Sequence, residues 1–411
     1  MHILFLTDNF YPEVNAPASR TYEHCKVWVQ AGHKVTVITG VPNFPKGQVY
    51  SGYKNRLVQK EDIDGIKVIR VWTFIAANEG TFKRTLDFAS FMITSFFASL
   101  FVKRPDIVVG TSPQFFTVCA ACATATIRRV PWIFELRDLW PESIKVIFGL
   151  NDNLILRLLE KLELWLYHKA DGIISVTESF RTEISYRGID CKKIHVITNG
   201  VDTLRFVKRE KDLDLLNRLG IQGKFLLGYI GTHGLAHGLD TLLDAAQIIQ
   251  KSRHKNKFHF ILLGDGAEKN KLKLKAEKLL LNNVSFVDTV SKDEVVRFWS
   301  VLDASIIHLK NRELFKTVIP SKIFECMSMG IPILHGVRGE SAEIVKNADV
   351  GRLFEPENAE ELVEAIYVLQ SSTNLRSKLS KNCIGASKNY DRNLLALQML
   401  DVIEKVVKGK N

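Results

Sequence analysis

Residues Phe315–His335 read FKTVIPSKIFECMSMGIPILH, a run in which helix-start, helix-stop and anion-site signals coincide. Ser321 after Pro320 is a good N-cap, and the apolar side of Ile323, Phe324, Met327 and Met329 suits a core. Gly330 stands where a C′ residue belongs, and Pro332 forbids continuation. The expectation is a short helix between two apolar strands. Its first residue, Lys322, puts a cation at the positive end of the helix dipole, which costs ~0.3–1 kcal/mol unless an anion sits in front of it. A phosphate there turns the cost into a binding contribution, because the free backbone N–H groups already favour negative charge. Glu325, one turn on and on the same face, can accept two sugar hydroxyls. On an ordinary surface helix both side chains would merely be solvated; strand-to-helix junctions, however, are where α/β folds bind ligands.

Outward from this run the chain alternates short apolar segments with amphipathic ones. Strands are expected at 2–7, 34–40, 66–71, 106–110, 131–136, 172–177 and 193–197, with helices at 16–31, 83–103, 113–128, 151–170 and 178–188. The rhythm breaks at the Asn199-Gly200 turn and a charged stretch, Lys208–Asp214, and then restarts. Strands follow at 225–230, 258–263, 284–287, 303–308 and 331–335, with helices at 239–251, 267–280 and 291–301 and more helices to the end. Alternation of this kind means parallel sheets covered on both faces. We expect an α/β protein of two Rossmann-like domains, 1–200 and 201–411, with parallel sheets facing a central cleft and the C-terminal helix returning to the first domain.

The 411 residues can bury two cores, and 46% hydrophobic with 25% charged residues excludes disordered and fibrous classes. The net charge of +11 is spread evenly: residues 1–200 carry 24 Lys and Arg against 19 Asp and Glu. An even excess argues against a nucleic-acid arm and suits anionic phosphates or an anionic membrane surface. Six cysteines lack metal spacing, and Cys119-Ala-Ala-Cys122 falls within an apolar helix, where two small core residues are expected. With no basic-then-apolar leader before HILFLT, a cytoplasmic protein is expected. Phe88–Val102 is uncharged, but its 15 residues fall short of the ~20 that span a bilayer. Bracketed by Lys83, Arg84, Lys103 and Arg104, it is either a core helix or an interfacial one whose Phe91, Phe96 and Phe97 meet an anionic leaflet.

Chemistry-bearing groups gather at strand ends. The loop Asp8–Arg20 after the first strand has no glycine, which excludes the dinucleotide fingerprint there. In the second half, Gly231-Thr232-His233-Gly234-Leu235-Ala236-His237-Gly238 and Gly264-Asp265-Gly266 each follow a strand and let backbone approach a phosphate. Each alone is equally a structural turn. With Lys322 and Glu325 they outline one pocket large enough for a nucleotide diphosphate. In the first half, Glu135, Arg137 and Asp138 sit beside Trp140 and Pro141 at a strand end, open to a functional reading or to an internal Arg137 ion pair with Glu135 or Asp138. The Asp62-Ile-Asp64 and Asp212-Leu-Asp214 pairs fall in a polar connection and a charged helix, away from strand ends, so no metal site is expected.

Seven segments together carry a resemblance: YPEVNAPASR (11–20), GHKVTVITGVPNFPKG (32–47), FELRDLWPES (134–143), TNGVD (198–202), YIGTHGLAHGLDTLLDAA (229–246), LLGDG (262–266) and VIPSKIFECMSMGIPIL (318–334). Over nearly its full length the chain resembles a glycosyltransferase of GT-B architecture, family 4. It is especially similar to the bacterial subgroup that includes N-acetyl-L-fucosaminyl transferases of O-antigen and capsule assembly. The resemblance implies a retaining, cofactor-free reaction in which Glu325 holds the donor ribose as the second Glu of the E-x7-E motif, with the Gly264-Asp265-Gly266 region flanking the base. Thr317 stands where the first Glu of that motif is usual, and Thr232 and His237 replace the Arg and Lys that commonly hold the diphosphate. Charge neutralisation then falls on Lys322 and Arg137.

The expected activity is transfer of a sugar from a UDP-linked donor to a polyprenyl-diphosphate-linked saccharide at an anionic membrane. Arg137, Asp138 and Lys322 are the candidate catalytic residues. Ser321, Glu325, Thr317, Gly231, Thr232, His237, Gly264, Asp265 and Gly266 are assigned to the donor, and Asn15, Ala16, Arg20 and Glu135 to the acceptor. A nucleotide-sugar epimerase and a silent sugar-nucleotide binding protein are the alternatives on the same architecture.

Overall fold

A computed structural model describes residues 1–44, 47–75, 81–140 and 154–410. Pro141–Ser143 of the Phe134–Ser143 motif and positions 151–153 of the expected helix lie outside the described residues. The chain divides into two compact units, Met1–Asn199 with Arg392–Asn411, and Gly200–Asp391.

The first unit runs β1 (His2–Leu6), α1 (Ala16–Gln30), β2 (Lys34–Thr39), β3 (Val58–Ile63), β4 (Ile66–Val71), α2 (Thr81–Leu100), β5 (Ile107–Thr111), α3 (Phe115–Arg128), β6 (Trp132–Leu136), α4 (Leu154–Lys169), β7 (Gly172–Ser175), α5 (Glu178–Tyr186) and β8 (Ile194–Val196). Its sheet has the order β3-β4-β2-β1-β5-β6-β7-β8, parallel except for the β3–β4 hairpin. That hairpin corrects the expectation of a polar connection around Asp62 and Asp64. Asp62 accepts the Gly65 amide at the turn, and Asp64 pairs with Lys26, so local hydrogen bonding uses both carboxylates. Alternate strand residues feed opposite layers. Leu4, Leu6, Val108 and Phe134 pack with Phe91, Phe115 and Tyr167, while Ile3, Phe5, Ile107 and Val109 pack with Cys25 and Trp28.

The second unit runs α6 (Leu213–Leu219), β9 (Phe225–Ile230), α7 (Asp240–Lys251), β10 (Phe258–Leu263), α8 (Lys269–Lys278), β11 (Val284–Val287), α9 (Lys292–Val301), β12 (Ala304–His308), α10 (Lys322–Met329), β13 (Ile333–Gly336), α11 (Glu340–Asn347), β14 (Gly351–Leu353), α12 (Ala359–Ser371) and α13 (Thr373–Ser387). Its sheet, β11-β10-β9-β12-β13-β14, is parallel throughout. Asp212 caps α6 and pairs with Arg297, which accounts for the second D-x-D pair. The last helix, α14 (Arg392–Lys410), belongs to the first unit, where Trp28 Nε1 donates to the Ala396 carbonyl at 2.8 Å.

Cys119 and Cys122 lie on α3, and burial pushes both thiols up, so neither is a ready nucleophile. On α2, Phe91 is fully buried, which corrects its placement on an interfacial face, and Phe96 packs against the same core. Its outward face carries Ile93 and Phe97, followed just past its end by Phe101; the three are 52%, 56% and 89% exposed. Among the described residues no helix is long and apolar enough to cross a membrane.

Candidate active site

In the second unit the neighbouring strands β10, β9 and β12 lead into the Gly264 loop, the Gly231 loop and the approach to α10. The two glycine loops are locked together. His233 N donates to the Asp265 carbonyl at 2.8 Å, Glu268 N to the His233 carbonyl at 2.9 Å, and Gly231 N to the Leu263 carbonyl at 2.8 Å. A Cβ at Gly264 would stand 1.8 Å from the Gly231 carbonyl oxygen, so backbone meets backbone there and only glycine fits. Lys269, buried at the start of α8, ties the far side by donating to the Gly264 carbonyl and the Asp288 carboxylate, both at 2.6 Å.

Lys322 is the first residue of α10 and extends over Gly231, where a Cβ would lie 2.1 Å from its Nζ. The ammonium rests 4.3 Å from the centroid of the Tyr229 ring and donates to the Tyr229 hydroxyl at 3.2 Å. That hydroxyl in turn donates to the Thr232 carbonyl at 2.8 Å. Burial lowers the Lys322 amine to about 8, against the opposing pull of Glu325. His237 and His233 are pushed down to about 3 and about 4, by burial first and then by nearby lysines, Lys322 acting on both rings. Both imidazoles are therefore neutral at pH 7, and His237 does not replace a missing cation. The positive charge against the Gly231 loop is Lys322.

Around this centre the expected donor residues take different places. Ser321 is a correction: it is α-helical at φ −59°, ψ −20°, and its side chain makes no cap. Instead the first turn is closed by backbone, with Ile323 N donating to Pro320 O and Phe324 N to Ser321 O. Gly330 ends the helix at φ +66°, with Ile331 N returning to the Cys326 carbonyl. Glu325 lies in the first turn, partly exposed and within electrostatic reach of Lys322. Asp265 is exposed and accepts from the Gly266 amide. Thr317 spends its hydroxyl on the Leu314 carbonyl at 2.7 Å.

In the first unit, Arg20 is 3% exposed and Glu135 1%, joined Nε to Oε1 at 2.9 Å. Arg20 also donates to the carbonyls of Ile197 at 3.0 Å and Thr198 at 2.6 Å. This replaces the ion pair considered between Glu135 and Arg137, and it spends Arg20 inside the fold. Asn15 accepts from Ala18 N as the cap of α1, with Ala16 exposed beside it. Arg137 and Asp138 follow β6, each partly exposed, and Trp140 stacks on Phe115 at 4.4 Å. Two groups escaped the sequence reading. Tyr229 opens the 229–246 segment but is given no role there, and Asp8, two residues beyond β1, is raised to about 8 by burial, Asp87 and Glu13.

Two family models match: "Glycosyltransferase Family 4" over residues 18–205 and "Glycosyl transferases group 1" over 214–385. Among curated relatives, WcaI of Escherichia coli, described as a colanic acid biosynthesis glycosyl transferase, is 24% identical over 341 residues, covering 80% of this chain and 82% of that one. The N,N'-diacetylbacillosaminyl-diphospho-undecaprenol alpha-1,3-N-acetylgalactosaminyltransferase of Campylobacter jejuni is 24% identical over 286 residues, 68% of this chain and 72% of that one. Among solved structures, HepE of Anabaena with UDP and glucose superposes with TM-score 0.73 at 17% identity over 98% of this chain and 99% of that one. Sucrose-phosphate synthase of Thermosynechococcus elongatus gives 0.77 at 15% over 99% of both. The chain is thus a glycosyltransferase of the GT-B fold, its first half of the family 4 type and its second of the group 1 type.

Proposed function

We propose that the protein transfers a sugar, of the N-acetyl-L-fucosamine type or a related N-acetylated deoxysugar, from a UDP-linked donor to a polyprenyl-diphosphate-linked saccharide, with retention. The placement of Lys322 carries this reading: a half-buried cation at a helix N-terminus, laid across a glycine that leaves no room for a side chain, is built to meet an anion. Departure of UDP from the anomeric carbon puts negative charge on the diphosphate. Lys322 and the positive end of the α10 dipole stabilise that charge as it develops. Glu325 accepts from the ribose hydroxyls, and the Gly264-Asp265-Gly266 turn lies against the base. The acceptor belongs to the first unit, near Asn15, Ala16 and Asp138.

The curated relatives support bacterial surface polysaccharide assembly, one through colanic acid and one through an undecaprenyl-diphosphate saccharide acceptor. Incubation with a panel of nucleotide sugars, with and without polyprenyl-diphosphate saccharides, is expected to give product only when UDP-sugar and lipid saccharide are both present. Donor rearrangement without acceptor would replace transfer by epimerisation, and UDP binding with no turnover would leave a binding protein.

A lipid-linked acceptor calls for contact with a membrane surface, and the outward residues Ile93 and Phe97 of α2 and Phe101 just past it, with Lys83, Lys103 and Arg104 exposed at its ends, suit an anionic leaflet. On α4, Leu154, Ile155, Leu158 and Trp165 are likewise exposed. Replacing Ile93, Phe97 and Phe101 by Ser is expected to release the protein from anionic vesicles in a flotation assay without lowering its melting temperature. Equal flotation of variant and parent would remove α2 from the membrane contact.

A further inference from the structure

A lysine carries its charge on a flexible four-carbon stem and, left to itself, swings the ammonium into water. Lys322 is held instead, and Tyr229 on β9 is what holds it. The Tyr229 side chain is 1% exposed, and it presents both its ring face and its hydroxyl to the ammonium. A phenol has a single proton to give, and Tyr229 gives it to the Thr232 carbonyl at 2.8 Å. Toward Lys322 the oxygen can therefore only accept, which fixes the sense of that bond. Burial pushes the phenol above its usual range, so the arrangement persists through mildly alkaline pH. The anchor itself does not drift, because the glycine loop that carries Thr232 is tied to the Gly264 loop through His233 N and the Asp265 carbonyl. Gly231 leaves the seat clear: a Cβ there would stand 2.1 Å from both Cε and Nζ of Lys322. Tyr229 also belongs to the core that contains Leu243 and Leu262, but phenylalanine would fill that space as well. The hydroxyl is the part a core role does not need.

We propose that Tyr229 is the positioning residue for Lys322: its hydroxyl and ring face seat the ammonium over Gly231, and it acts on substrate only through that ammonium. This rests on the transferase reading, in which Lys322 faces the diphosphate of the donor. Removing the hydroxyl takes an acceptor from the charged form of the amine, so an amine already lowered to about 8 by burial falls further. The other titratable groups facing the ammonium are Glu325 and Cys326 of α10 and the His233 and His237 rings of the glycine loop. Burial holds the thiol at about 12 and the rings at about 4 and about 3, so these three keep their protonation state while Lys322 titrates. Glu325 supports the charge whether or not the hydroxyl is there.

The test is UDP calorimetry as a function of pH on the full chain, with a melting curve for each protein, in the parent, Tyr229→Phe, Lys322→Gln and the double variant. Tyr229→Phe is expected to weaken UDP about tenfold near pH 8 and to move the alkaline fall in affinity down by about one pH unit. In the Lys322→Gln background the same substitution is expected to change neither. Equal weakening in both backgrounds, with an unmoved inflection, would make Tyr229 a core residue and overturn the proposal. Parental behaviour of Tyr229→Phe beside a weakened Lys322→Gln overturns the proposal and leaves the transferase reading standing. Parental UDP affinity in Lys322→Gln removes both, since the diphosphate is then held elsewhere. Should Tyr229→Phe fail to fold, Lys322→Arg decides: it keeps the charge and Tyr229, but its wider guanidinium does not fit the seat over Gly231. That variant is expected to bind UDP at least about tenfold more weakly than the parent. Parental affinity there would show that charge suffices without placement, and the proposal would fall.

Discussion

Lys322→Gln is expected to cut the transfer rate by ~10² or more while the ligand-free protein melts at the same temperature or slightly higher. The rate loss is that of one donor removed from a developing anion. It is not shared out here, because Thr232 and His237 stand where a cation is commonly found and the His237 ring stays neutral at pH 7. The stability gain follows from removing a half-buried charge from the positive end of α10. With the folded amine near 8, below its ordinary 10.5, the unfolded chain binds more protons between those values, so stability rises with pH across that window. The cost of the Lys322 charge to folding is largest below pH 8 and fades above it. UDP affinity runs the other way and is expected to fall as pH rises through about 8, as the ammonium loses its proton. Thermal melts, steady-state rates and UDP calorimetry between pH 7 and about 9.5 check all three. A variant that melts far lower, or turns over normally, would make Lys322 a structural partner of Tyr229 and place the diphosphate elsewhere.

Glu325→Ala is expected to weaken UDP binding at least tenfold with the fold intact. The carboxylate in the first turn of α10 is assigned two charge-assisted hydrogen bonds to the ribose, each ~1.5–3 kcal/mol. Part of that is returned because Glu325 is partly exposed and solvated in the free protein, and because it supports the charge of Lys322. Glu325→Gln separates the effects. It keeps one acceptor and the size of the side chain, so its affinity for UDP should lie between parent and Ala. A deoxyribose donor should lose affinity against the parent but not against Glu325→Ala. Unchanged UDP affinity in the Ala variant would show that the ribose is held by another group.

The alternation of apolar runs with amphipathic ones was enough to read two parallel α/β sheets, since period and turn chemistry are local properties of the chain. The end of α10 at Gly330 was equally legible, because a left-handed C′ position selects glycine whatever surrounds it. Its start at Lys322, after Ser321, was legible too, but not how it is capped: the Ser321 side chain makes no cap bond, and backbone carbonyls satisfy the first turn. The polar alternation of Val58–Ile63 hid β3, an edge strand with a solvated face that carries no apolar run to announce it. Tertiary structure alone decided who pairs with whom. Arg20 meets Glu135 across 115 positions, and Lys322 settles on Tyr229 across 93. Those pairings decide which charges are spent inside the fold, as Arg20 is, and which stay partly open to solvent, as Lys322 and Arg137 do. Residue types and spacing could nominate these groups as candidates, but burial and the order of strands in each sheet determine whether a counter-charge lies within reach.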